Sequence, residues 1–198
     1  MNERIVENLL FPKFLEKETL NYQYGEDRFG RGISIFSADM SERYFLARIF
    51  ENKNREVKNE VNEPKIINFL MLNPSKANSI RLDPTVTRCT KRALNLGYDM
   101  IVVSNLYPLV STDPKLLKKN KGNLRLNFKI IEEIVKFSSV DILAYGNYKD
   151  NFQYNEIIKE IFKNQDKTAF CLEVNSDNSP AHPLYLRDNS EIKEYFFN

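Results

Sequence analysis

Four short segments carry the residue types from which a polar site could be built: Asn73-Pro74-Ser75, Asn105-Leu106-Tyr107, Tyr145-Gly146-Asn147, and the loop holding His182-Pro183. Each lies just beyond an apolar run. Asn, Pro and Gly are ordinary strand terminators, so any one segment says little; four in consecutive units say more. His182 is the sole histidine, and an imidazole titrates near neutrality without any help from its surroundings. Pro180 and Pro183 stiffen its loop, which can hold the ring against a ligand; the competing reading is a loop histidine bonded to backbone. Asp83 precedes a proline, as does Asp113. Helix capping accounts for both. Asp83 is also the nearest carboxylate downstream of Asn73, and it could activate water if the intervening loop folds back.

The elements that must position these residues are legible from periodicity. Ile33–Phe36 and Tyr44–Phe50 read as two strands around the polar turn Ala38–Glu42, an N-terminal hairpin. Glu51–Pro64 is almost wholly polar and reads as a solvated loop. Lys65–Leu72 is a buried strand stopped by Asn73-Pro74-Ser75. Val86, Cys89, Thr90, Ala93 and Leu94 recur at helical spacing, and Gly97 closes that helix. The unit then repeats. Strand Met100–Val103 is followed by an Asp113-Pro114 cap and a helix marked by Leu124, Phe128, Ile131, Ile134 and Val135. Strand Val140–Ala144 is followed by a helix through Phe152, Ile157, Ile158, Ile161 and Phe162, then a strand Thr168–Leu172. Short apolar strands alternating with amphipathic helices predict an α/β fold, a three-layer sandwich around a central, mostly parallel four-stranded sheet. In such sheets ligands bind beyond the carboxyl ends of the strands, where the four polar segments fall. Residues 1–31 read as an N-terminal appendage, a short helix marked by Ile5, Leu9, Leu10 and Phe14 and then a loop. Residues 32–198 read as one domain.

Composition narrows the classes. At 198 residues and 42% hydrophobic the chain suffices for one core. Its apolar runs are too short to span a bilayer, and its start lacks the basic, then apolar, pattern of a signal peptide; a cytoplasmic protein without a membrane partner is expected. Cys89 and Cys171 stand alone with one histidine, which argues against a zinc site. Neither a P-loop nor GxGxxG occurs, so no nucleotide cofactor is expected. Net charge is +2 and the pI about 8.4, which permits a nucleic-acid partner without requiring one. Lys115, Lys118, Lys119 and Lys121, with Arg81, Arg88, Lys91 and Arg92, mark two basic helix beginnings. Arg81, Arg88, Lys115, Lys118 and Lys119 are candidate phosphate contacts, against the plainer reading of a solvated helical face.

Several motifs occur in a fixed order: Phe36-Ser37, Tyr44–Arg48, Met71-Leu-Asn-Pro-Ser75, Asp83-Pro-Thr85, Arg88-Cys89, Val102-Val-Ser-Asn-Leu106, Thr112-Asp-Pro114, Tyr145-Gly146 and His182-Pro-Leu-Tyr-Leu186. Over about residues 33–188 the chain resembles the bacterial and phage family called domain of unknown function 1643. That family often has an Asn-Asp pair early in the helix after the second site strand, where this chain has Asn127-Phe128. The motif order is also similar to that of the uracil-DNA glycosylase superfamily. Leu72-Asn73-Pro74 resembles its first loop, Ser104-Asn105 its base-reading Asn, Tyr145-Gly146 its third strand end, and His182-Pro183-Leu184 its last motif. Met71 and Leu184 depart from the Gly and Ser found there, which bears on uracil specificity.

This second resemblance implies a glycosylase-like fold and a hydrolase that cleaves the N-glycosidic bond of a base in DNA, natural or modified. The distribution of the first family suggests a setting in phage–host conflict. On this reading Asn73 orients water, His182 stabilises the leaving base and Asp83 assists as the nearby carboxylate. Pro74, Ser75, Asn105, Tyr107, Tyr145, Gly146, Asn147, Pro183 and Tyr185 surround the base. An amide cannot act as a strong base, so two alternatives stay open: a non-catalytic binder of nucleotide or nucleic acid, and an enzyme acting on free nucleosides or nucleotides.

Overall fold

The computed structural model describes residues 15, 18–50, 63–75, 77, 81–148 and 152–197. The proposed N-terminal helix at residues 5–14 lies outside these, as does nearly all of the polar loop at 51–64. The strands are β1 (Leu20–Asp27), β2 (Gly30–Ser37), β3 (Arg43–Ile49), β4 (Ile66–Met71), β5 (Met100–Asn105), β6 (Val140–Leu143), β7 (Ala169–Cys171) and β8 (Lys193–Glu194). The helices are α1 (Pro84–Asn95), α2 (Leu124–Phe137) and α3 (Phe152–Asn164). All eight strands form one mixed sheet in the order β1-β2-β3-β5-β4-β6-β7-β8.

The expected four-stranded sheet is therefore too small. Pairing is parallel between β5 and β4, β4 and β6, and β6 and β7. It is antiparallel at both ends, through β3, β2 and β1 on one side and β8 on the other. The β2–β3 hairpin does form, but it is built into the sheet. Residues 20–27 form an edge strand where a loop was expected. Their side chains alternate between half-buried and exposed, and an edge strand that buries little carries no strong apolar pattern.

β4 is buried along its whole length because both its faces are covered. Ile67, Phe69 and Met71 pack with Val86, Cys89 and Ala93 of α1. On the opposite face Ile66 packs with Ile130 and Ile134 of α2, and Leu70 with Ile131 of α2 and Ile158 of α3. Helices thus cover both faces of the sheet.

Local chemistry sets the helix ends. Asp83 caps α1, its Oδ1 accepting from the Val86 N–H at 2.8 Å with Pro84 in the first turn. Gly97, at φ +74°, follows the end of that helix. Asp113-Pro114 opens only a five-residue 3-10 helix, Pro114–Lys118. The chain breaks again before α2, which Asn123 caps. Gly122 at φ +75° makes that break, and a Cβ there would stand 2.8 Å from the Pro108 ring.

Candidate functional site

The carboxyl ends of β4, β5, β6 and β7 meet at one edge of the sheet, and the loops that follow them carry the polar residues. Asn73, after β4, is half-buried. Its amide nitrogen donates to the carbonyls of Ser111 at 2.8 Å, Pro74 at 3.1 Å and Leu109 at 3.4 Å. The Ser111 N–H donates back to the Pro74 carbonyl at 2.9 Å. Asn73 and Pro74 therefore clasp the loop after β4 to the loop after β5. Ser75 turns its hydroxyl onto Asp83 Oδ2, so the loop does fold back, and both carboxylate oxygens of Asp83 are engaged.

Asn105, at the end of β5, is 2% exposed. Its Oδ1 accepts from Arg43 Nη2 at 3.2 Å, and Arg43 Nη1 donates to the Ala77 carbonyl at 2.6 Å. Burial pulls the Arg43 guanidinium down to about 10, opposed by the charge of Asp83. The Asn127 amide fixes the backbone beneath, donating to the carbonyls of Asn105 at 2.8 Å and Leu106 at 3.0 Å. Sequence reasoning missed Arg43. Its available signal was a charge opening a strand that is otherwise mostly apolar.

Gly146 adopts φ +73° after β6, and a Cβ there would sit 4.0 Å from that of His182. Its N–H donates to the Pro180 carbonyl at 2.9 Å, which brings the His182 loop against β6. The imidazole is half-buried, and its Nδ1 accepts from the Leu184 N–H at 3.4 Å. Burial lowers its pKa below 6.5, and the Asp83 carboxylate opposes that shift. Asp83 thus acts on both Arg43 and His182. Asp83, Arg43, Asn105, His182 and Gly146 share one neighbourhood on the α1 side.

Helix α1 holds the histidine loop. Arg88 donates to the Leu184 carbonyl at 2.7 Å and pairs with Asp188 at 2.8 Å. Arg92 reaches the Ser190 and Arg187 carbonyls at 2.6 and 2.7 Å. Pro183 is buried, whereas Tyr185 is 83% exposed with its ring 5.7 Å from that of His182.

Other expected site residues lie apart from this group. Tyr107 is fully buried, edge-on to Tyr148 and Tyr154, and such a ring has no open face for a base. Tyr145 is buried on the α2–α3 side, where its hydroxyl donates to Asn155 Oδ1 at 3.2 Å and burial raises its pKa. Asn147 lines a cavity of about 120 Å³ there with Tyr148, Asn178 and Tyr195, and Gly146 borders both this cavity and the group around His182. Arg81, Lys115, Lys118 and Lys119 are exposed. Among the described residues no three His, Cys, Asp or Glu side chains gather to hold a metal ion.

A family model covers residues 43–184, more than half of the chain; its description is Protein of unknown function (DUF1643). The chain belongs to that family. The match begins at Arg43 and ends just past His182, so it spans Arg43, Asp83, Asn105, Gly146 and His182. No curated protein and no solved structure matches the chain. Among the described residues no helix is long and apolar enough to cross a membrane.

Proposed function

We propose that this chain is a glycosylase-like hydrolase that binds a nucleobase beyond the carboxyl ends of β4, β5 and β6 and cleaves its N-glycosidic bond. The observation that carries this reading is the state of His182. Its Nδ1 accepts the Leu184 N–H, an arrangement that suits a neutral ring with its hydrogen on Nε2, and burial favours that neutral form. A neutral imidazole is a suitable donor to a carbonyl oxygen that gathers negative charge. In the reaction the C1′–N bond breaks and its electron pair leaves with the base. Water adds to C1′, and the proton it releases ends on the base. The transition state is dominated by a sugar cation and a base anion, so a donor to the base matters more than a strong general base. Exposed Lys115, Lys118 and Lys119 would meet backbone phosphates, and the exposed ring of Tyr185 could stack on a base.

A second reading, binding without cleavage, is favoured by two contacts. The Asn73 amide nitrogen is committed to backbone carbonyls, and both oxygens of Asp83 are occupied. A base-release assay on DNAs carrying varied natural and modified bases separates the readings. Wild type is expected to leave abasic sites and His182→Ala to lose at least about a hundredfold in rate, the scale of one lost oxyanion donor. DNA binding with no release from any substrate would replace the hydrolase by the binder.

A further inference from the structure

We propose that the cavity on the α2–α3 side of Gly146 is a second binding site, for a small primary ammonium ion, with tyrosine rings as its floor and Glu156 and Asp177 as its counter-charges. It lies apart from the group around His182, and it does not depend on the nucleobase reading above.

A cavity of about 120 Å³ is many times the ~10–15 Å³ that admits one water molecule, so it takes a compact organic group. Tyr145 and Tyr195 are buried, whereas Asn147, Glu156 and Asp177 are exposed. The cavity therefore has an aromatic floor and an acidic rim. Three of its hydroxyls have already committed their hydrogens to the protein. Tyr145 donates to Asn155 Oδ1 at 3.2 Å, Tyr195 to the Asn178 carbonyl at 3.1 Å, and Ser179 to Asp177 Oδ1 at 2.6 Å. Burial raises the pKa of both phenols, so their hydrogens stay in place. What these oxygens have left for a ligand is lone pairs.

Among the described residues no lysine, arginine or histidine lines the cavity. The hydrogen bonds from Ser179 hold the Asp177 carboxyl below its ordinary 3.8, so it is ionised at neutral pH. Glu156 meets Lys159 at 3.8 Å, a loose and exposed pair that a ligand can replace. A phosphate or a carboxylate would face two like charges here, and a neutral group would gain nothing from them. A hard divalent ion wants a fuller set of oxygen ligands, and among the described residues no third His, Cys, Asp or Glu joins the two. An alkylammonium head answers all of these features at once. Its three N–H donors suit the oxygens, its charge suits the carboxylates, and tyrosine rings attract cations to their faces.

Two probes of nearly the same shape test the site: n-butylammonium and n-butanol, which differ in the charge of the head group. Each is titrated at constant ionic strength into the ¹⁵N-labelled full chain, with magnesium ion and a capped lysine as further probes. The Gly146 amide and the side-chain NH₂ resonances of Asn155 and Asn178 are followed. Wild type is expected to bind n-butylammonium saturably and at least about tenfold more tightly than n-butanol, the scale of a desolvated cation against an aromatic ring. Glu156→Gln and Asp177→Asn change exposed side chains, and each should weaken binding about threefold. Glu160→Gln, one turn further along α3 and outside the cavity, should leave the affinity unchanged. Equal binding of amine and alcohol, a loss in Glu160→Gln as large as in Glu156→Gln, or resonances moved by magnesium and not by the amine would overturn the proposal. Tighter binding of the capped lysine than of n-butylammonium would hand the site to a protein side chain and overturn the small ligand. Base release from DNA is a separate measurement, and neither result decides the other.

Discussion

The proton on His182 decides what that side chain can do. Protonation would add a hydrogen at Nδ1 and set it against the Leu184 N–H, which now donates there. Burial already resists the charge, holding the pKa below 6.5. Base release should therefore be level above pH 6.5 and fall on the acid side with a midpoint below that value. Single-turnover rates from pH 4.5 to 8 would read this, and a midpoint above 6.5 would remove His182 from the role. Asp141 makes the opposite case, away from the site. It is 1% exposed and accepts from Asn68 Nδ2 at 2.9 Å and from Ser138 Oγ at 2.6 Å. Burial pushes its carboxyl from 3.8 up to about 6 against those bonds. A folded-state pKa above the unfolded one favours folding below the unfolded value and loses that contribution as pH rises through the folded one. Stability from this group should be fully present below pH 3.8 and gone above about pH 6, a difference of roughly 3 kcal/mol. Urea unfolding of wild type and Asp141→Asn across that range should show the gap between the two curves changing with pH, and a constant gap would contradict it.

At the scale of elements, α1 is the part that holds the histidine loop, and its arginines show why sequence placed them elsewhere. Arg88 and Arg92 are four residues apart, on one helical face, and in isolation that face reads as a phosphate platform. Their partners are carbonyls 95 to 98 residues away, and backbone acceptors at that separation leave no trace in residue types. The same blindness hid Arg43, whose partner Asn105 lies 62 residues on. What was legible had local causes: the Asp83-Pro84 cap, the Gly97 stop, the period of α1, and the apolar strands that end at Asn73, Asn105 and Gly146. β1 was not legible, because a strand that buries little has no strong pattern to read. The two roles for Arg88 can be separated by salt. A phosphate contact adds about one unit to the slope of log affinity against log salt, whereas a loop tether changes affinity equally at every salt. Arg88→Ala is expected to weaken nucleic-acid binding with the slope unchanged, and Lys115→Ala to flatten the slope. A flatter slope for Arg88→Ala, measured by fluorescence anisotropy from 50 to 300 mM salt, would return Arg88 to the phosphate.

The whole molecule raises the question of where the domain begins. A boundary at residue 32 follows the apolar pattern, but the hydrogen bonding runs past it. β1 pairs with β2 along its full length, from Leu20 opposite Ser37 to Asp27 opposite Gly30. Leu15, 3% exposed, packs into the cluster formed by Ile33, Ile35 and Phe45. Asp27 also pairs with Arg48 at 3.1 Å, and the Arg48 side chain is only 1% exposed. Burial lowers the Arg48 pKa and the Asp27 charge opposes it, so removing Asp27 takes away a charge that offsets the burial of this cation. Breaking a fully buried pair costs 3–5 kcal/mol; Asp27 is 18% exposed, so Asp27→Ala should cost about 2 kcal/mol. A chain beginning at residue 32 loses that pair, the β1 ladder and the Leu15 packing together, and it opens the edge of β2 to other chains. Marginal domains seldom survive a loss of that combined size. Residues 32–198 alone are expected to unfold or self-associate in sedimentation velocity, while full-length Asp27→Ala stays monomeric with a lower urea midpoint. A monomeric 32–198 chain with the full-length midpoint would make β1 a detachable appendage and return the boundary to residue 32.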